Sequence, residues 1–116
     1  MDCYCSSVGK CLLAFSAGIS ERQFKNYTFV RYTANTITDQ PTLLAELRKV
    51  REQGYALDNE EQEIGLTCVG VPILNKRGEA VAAMSISGPT QRLQNHDVAL
   101  IVQQLKQTSA EISLLL

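Results

Sequence analysis

Leu66-Thr67-Cys68-Val69-Gly70-Val71-Pro72-Ile73-Leu74-Asn75-Lys76-Arg77-Gly78-Glu79-Ala80-Val81-Ala82-Ala83-Met84-Ser85-Ile86-Ser87 is the stretch that decides the fold. Leu66 to Leu74 is rich in β-formers, Asn75 to Gly78 carries turn residues, and Glu79 to Ser87 returns as a second strand. This predicts an antiparallel hairpin. Pro72 lacks an N–H for the ladder, which predicts an edge or bulge position. Period two in the second strand sets Ala80, Ala82, Met84 and Ile86 on one face and Val81, Ala83, Ser85 and Ser87 on the other. Two hydroxyls on a dry core face would each need a partner, because an unpartnered buried hydroxyl costs about 1–3 kcal/mol. Either they meet backbone groups or they line a polar pocket that a ligand fills.

Upstream, Tyr55 to Leu57 reads as a short strand, followed by the polar segment Asp58 to Gly65, whose acidic run Asp58 to Glu63 is expected to be a solvated, charged loop at most positions. Before it, Asp39 predicts an N-cap with Pro41 in the first turn. Leu43, Leu44, Leu47 and Val50 make an apolar stripe, and Gly54 ends that helix. Tyr27 to Thr38 has no clean period and reads as an irregular connection. Further back, Val8, Cys11, Leu12 and Phe15 recur at helical spacing between a cap at Ser6 or Ser7 and a stop at Gly18. Ser20 and Gln23 suggest a capping box for a short second helix. Downstream, Gly88-Pro89 stops the hairpin. Val98, Ile101, Val102, Leu105 and Ile112 mark a long C-terminal helix capped near Asn95. Helices around an antiparallel sheet, without βαβ alternation, give an α+β fold in one domain spanning 1–116.

Charge and cysteines narrow the function. The formal net charge is −1, with Lys and Arg scattered singly, whereas nucleic-acid binders carry a basic face. Direct DNA binding by this chain is therefore not expected. No apolar run approaches the ~20 residues of a membrane-spanning helix, and Met1 to Cys5 does not resemble a secretion signal. A cytoplasmic protein without membrane contact is expected. Cys3, Cys5, Cys11 and Cys68 lack paired spacing, and the single histidine, His96, is far from all of them in sequence. Reduced thiols packed as small hydrophobes, without a metal site, are the expectation. A catalytic Cys68–His96 pair would need an orienting group and an oxyanion site that nothing local announces. Asp58 to Glu63 lacks the spacing of a calcium loop, and no phosphate-cradling glycine motif is present. No enzyme and no cofactor are expected.

Five segments carry a family resemblance. Ser6-Ser7-Val8-Gly9-Lys10-Cys11-Leu12-Leu13-Ala14-Phe15 resembles the small-x-Gly-Lys-Ala-Leu-Leu-Ala segment of the isocitrate lyase regulator (IclR) effector domain. Tyr32-Thr33-Ala34-Asn35-Thr36-Ile37-Thr38 is similar to its Tyr-Thr-x-x-Thr-Ile-Thr. Gly54-Tyr55-Ala56-Leu57-Asp58-Asn59-Glu60-Glu61 resembles its Gly-Tyr-Ala-x-Asp-Asp-Glu-Glu. Gly65-Leu66-Thr67-Cys68 and Ser85-Ile86-Ser87-Gly88-Pro89 complete the series, in family order.

The resemblance implies a GAF-like antiparallel sheet flanked by helices, lacking the leading part of the usual domain. It implies an effector pocket on one sheet face at Ser7, Val8, Asp58, Cys68, Ser85 and Ser87. It also implies a homo-oligomer, dimer or tetramer, that meets DNA only through an N-terminal winged helix-turn-helix outside this chain. The expected effector is a small organic acid or sugar acid. The helix start at Ser7-Val8 offers free amides to a carboxylate, and Ser85 and Ser87 offer hydroxyls. Asp58 accepts from a ligand hydroxyl or holds one of the serines, and Cys68 supplies a soft wall. The alternative is an oligomerisation module with no functional pocket.

Overall fold

Three strands form one antiparallel sheet in the order β1-β2-β3: Ala56–Asn59, Leu66–Leu74 and Ala80–Pro89. The computed structural model describes residues 3–16, 27–94 and 98–116. The expected helix at Ser20, and the cap and histidine at Asn95 and His96, lie outside the described residues, as does Gly18. Among the described residues the helices are α1 (Ser7–Ala14), α2 (Gln40–Gln53), α3 (Thr90–Gln94) and α4 (Val98–Ser113). None is long and apolar enough to cross a membrane.

Local chemistry explains the helix ends. Asp39 caps α2, its carboxylate accepting from Thr42 N at 2.8 Å. Gly54 closes it at φ 81°, where a side chain would be strained. Ser6 caps α1 by accepting from Gly9 N at 3.1 Å, which resolves the choice between Ser6 and Ser7. That helix ends at Ala14, a turn earlier than its apolar spacing suggests.

Helices cover both sheet faces. Leu43, Leu47 and Val50 of α2 pack with Cys11, Leu13 and Ala14 of α1, together with Tyr4, Cys5 and Ala56. On the other face, Val102 and Leu105 of α4 close over Val69 and Val71. Most of α1 thus lies between α2 and the sheet. Cys5, Cys11 and Cys68 are buried and Cys3 is exposed, and none of the four is in a disulfide.

The hairpin is longer than its pattern suggests, and β3 runs on through Gly88-Pro89 directly into α3. Ile73 pairs with Ala82 but Leu74 with Ala80, so a register shift at Val81 breaks the strict alternation. Pro72 lies in the central strand, not at an edge, yet it costs no ladder bond there. β1 ends opposite Gly70, and the bare side of β2 beyond that point is met by α4. Ser109 and Ser113, one turn apart, donate to the carbonyls of Pro72 and Leu74 at 2.5 Å each.

Candidate functional site

The α1 side of the sheet gathers the residues expected at the pocket. Asp58, Cys68 and Ser87 are directly opposite one another across β1, β2 and β3, and Gly70 and Ser85 form the neighbouring row. The start of α1 sits on that second row. A Cβ on Gly70 would lie 3.0 Å from Ser7 Cβ and Oγ, tighter than ordinary van der Waals contact, so any larger residue here would press on the helix. Ser7 is buried, Val8 half-buried, and Ser85 and Ser87 are exposed beside them. Gly9 N goes to the cap and Lys10 N begins the helical ladder on Ser6 O at 2.9 Å. The amides of Ser7 and Val8 stand outside it.

The row at Asp58 is polar. Ser87 Oγ donates to Cys68 Sγ at 3.1 Å, and Cys68 faces Asp58 across the β1–β2 pair. Asp58 Oδ1 also accepts from Glu61 N at 2.9 Å. Burial pushes the Asp58 carboxyl above its usual range, against the Glu61 amide, the Lys10 charge, Cys68 and the Gln62 amide. Burial also raises the Cys68 thiol, against the bond from Ser87 and with the help of the Asp58 charge. Cys68 therefore carries its proton at neutral pH and is no activated nucleophile.

Behind this row lies a buried ion pair that local sequence patterns do not announce. Lys10, 1% exposed, sends Nζ to Glu61 Oε2 and to Leu57 O, both at 2.8 Å. Glu61 Oε2 also accepts from Asn59 N at 3.2 Å, while Oε1 is buried with no hydrogen-bond partner among the described residues. Burial raises the Glu61 carboxyl, opposed first by Lys10. The expectation of a mostly solvated loop over Asp58 to Glu63 thus fails at Glu61, which is buried together with Asp58. The loop folds inward because Thr33 and Thr36 hold it by the backbone, donating to Glu60 O and Glu61 O, and Asn35 Nδ2 donates to Asn59 O at 2.9 Å. Glu60 takes φ 56° at the bend. The one available signal is Asp58 three residues before Glu61, a spacing at which a carboxylate caps the amide ahead of it.

The sequence profile described as bacterial transcriptional regulator IclR, C-terminal, matches residues 1–114. This chain belongs to the IclR family. Over 111 residues it is 40% identical to the HTH-type transcriptional regulator KdgR of Escherichia coli, covering 95% of this chain and 42% of KdgR. The Thermotoga maritima IclR structure superposes with TM-score 0.88 at 40% identity, over 97% of this chain and 46% of that one. A double mutant of the PobR inducer-binding domain from Acinetobacter, in complex with 3-hydroxybenzoic acid, gives 0.89 at 31% identity, over 100% of this chain and 67% of that one. The chain spans about two fifths of KdgR's length. The α+β fold is that of IclR C-terminal domains.

A cleft of about 470 Å³ elsewhere in this IclR domain is lined by Phe15, Arg51, Pro72 and Lys106 among others. Three of its polar side chains are engaged: Lys106 Nζ donates to Gln53 O at 2.6 Å, and Ser109 and Ser113 donate to strand carbonyls. The row of Asp58, Cys68 and Ser87 offers more convergent chemistry.

Proposed function

We propose that this chain is the effector-binding domain of a transcriptional regulator of catabolic genes, acting in the cytoplasm as a binding module and not as an enzyme. Its effector would be a small hydroxy, keto or sugar acid held by Ser7, Val8, Asp58, Cys68, Ser85 and Ser87. The observation that carries this reading is the convergence of those residues on one sheet face, with the start of α1 seated over Gly70, where an added Cβ would lie 3.0 Å from Ser7. The complex of PobR with a hydroxylated aromatic acid supports the ligand class. DNA would be reached through a segment outside this chain. Binding shifts operator affinity only if the effector prefers one of two arrangements of the regulator.

Calorimetry on the intact regulator with a panel of such acids tests the site. Ser85→Ala and Ser87→Ala are each expected to weaken the best acid by about 1 kcal/mol, the scale of one hydrogen bond. Unchanged affinity in both variants would remove the serines from the site.

Self-association as a dimer or tetramer is a second expectation. The outer edge of β3 is unpaired among the described residues. Leu114 and Leu115 are 86% and 85% exposed. Open strand edges and exposed apolar clusters favour association. Sedimentation of this chain at high micromolar concentration is expected to show dimers or larger species, and a monomer throughout would refute it.

A further inference from the structure

The cleft beside α4 exists because β1 is short. β1 reaches only to Ala56, opposite Gly70, so Val71 to Leu74 of β2 have no strand on that side among the described residues. The serine hydroxyls of α4 satisfy the carbonyls of Pro72 and Leu74 there. A helix does not fill the place of a strand, however, and a space of about 470 Å³ is left between α4 and the end of α2. Small-molecule sites commonly have ~300–1,000 Å³. Phe15, Pro72, Leu74 and Ala110 give the cleft apolar walls. Along β2, Leu74 is about 20 Å from Cys68 at the usual strand rise, so this cleft is separate from the effector face.

Its charges favour an anion. The last carbonyls of α2 carry partial negative charge that would repel an acid. Lys106 offsets them: its Nζ donates to Gln53 O at 2.6 Å and lies 5.5 Å from the Tyr55 ring centroid. Arg51 has donors to spare. A guanidinium carries five N–H groups, and the one hydrogen bond of Arg51 among the described residues is a long contact to Ala14 O at 3.4 Å. The group stands over the Phe15 ring, 5.9 Å from its centroid. Glu52 also borders the cleft, but it forms an ion pair with neither cation among the described residues.

We propose that this cleft is a second small-molecule site, selective for a monocarboxylate with a flat apolar body. The carboxylate takes the guanidinium fork of Arg51, a geometry that lysine cannot offer. The body lies against Pro72, Leu74 and Ala110. A neutral molecule of the same shape gains the apolar contact alone. The inference goes beyond the effector-binding reading and does not depend on it.

The test uses the intact regulator with 2-naphthoate and its neutral counterpart 2-naphthamide, by calorimetry. Naphthoate is expected to bind at least about tenfold more tightly, the scale of one hydrogen bond to a charged group. Arg51→Gln should remove that advantage and leave naphthamide unaltered, and Arg51→Lys should remove part of it. Ala110 is exposed on α4, so Ala110→Phe can fill the cleft from the surface without disturbing the core, and both probes should then fail to bind. Methyl NMR separates the two sites: naphthoate should shift the Leu74 methyls in the parent and not in Ala110→Phe. Absence of binding to the parent overturns the proposal. So does equal affinity for the two probes, an affinity for naphthoate that ignores Arg51→Gln or Ala110→Phe, or a shift confined to the Val8 methyls at the effector face.

Discussion

Lys10→Met is expected to lower the unfolding free energy by about 3–5 kcal/mol, the usual cost of removing one partner of a buried ion pair. The side chain replaced is almost wholly buried, and its ammonium is held at 2.8 Å by both Glu61 Oε2 and Leu57 O. What remains is a buried carboxylate whose only other donor among the described residues is the Asn59 amide at 3.2 Å and whose Oε1 has none among them. Removing both charges tells the two contributions apart. Lys10→Met with Glu61→Leu should recover most of the loss, leaving about 1–2 kcal/mol for the unpaired Leu57 carbonyl and Asn59 amide.

The same variant has a pH signature of fixed sign. The Glu61 carboxyl lies above its ordinary 4.5 in the fold, so the folded state holds that proton more tightly than the unfolded chain. Stability from this group is present below the unfolded value and is lost as pH rises through the raised one. Lys10 is the first influence opposing burial at Glu61. Without it the folded value moves further up, and the range of falling stability widens toward neutrality. The deficit of Lys10→Met should therefore shrink on acidification. Urea unfolding at a series of pH values reads this directly, provided the denaturant slope is unchanged. A deficit independent of pH would mean that Lys10 contributes packing of its stem and not charge.

Part of this site could be read from period two alone. Ser85 and Ser87 share a face in any regular strand, and the hairpin turn brings that strand antiparallel to the one that carries Cys68. The caps at Asp39 and Gly54 were equally legible, because each rests on chemistry within four residues. The ion pair was not. A lysine in the second half-turn of a short amphipathic helix gives no local sign that it faces the core, and its partner is 51 residues away. Nor does an acidic loop show that threonines from a distant segment will hold it inward. The register shift at Val81 also escaped, since alternation of small residues over Ala80 to Ala83 looks the same in either register. The family resemblance named Asp58 and Cys68, whereas the bond from the Ser87 hydroxyl to Cys68 Sγ at 3.1 Å needs coordinates.

Gly9→Ala is the second large effect expected, and its sign runs against helix propensity. In an open helix, alanine would gain about 1 kcal/mol over glycine. Here the added Cβ would lie 2.4 Å from Cys3 Cα, 2.5 Å from Cys3 O and 2.6 Å from Ser6 Oγ. Two of those three atoms are backbone, so no rotamer change relieves the overlap. The turn that holds Cys3 cannot retreat easily. Its next residue, Tyr4, is fully buried, and the Tyr4 hydroxyl both donates to Val30 O and accepts from Val30 N at 2.8 Å. Nor can α1 move toward the sheet, where Ser7 already lies at the limit of contact with the Gly70 position. The helix must lift or the turn must unfold, at a cost of about 3 kcal/mol, the upper part of the range for overpacking. Lifting also carries Ser7 and Val8 away from the row of Ser85 and Gly70, so effector affinity should fall with stability. Gly78→Ala provides the contrast. That glycine has φ 78° and nothing within 4 Å of its added Cβ, so the variant should lose only about 1 kcal/mol from left-handed backbone strain, with affinity unchanged. Urea unfolding and calorimetry on both variants separate steric contact from backbone strain. If Gly9→Ala proves as stable as the parent, propensity outweighs the contact, and α1 is not clamped between the Cys3 turn and the sheet.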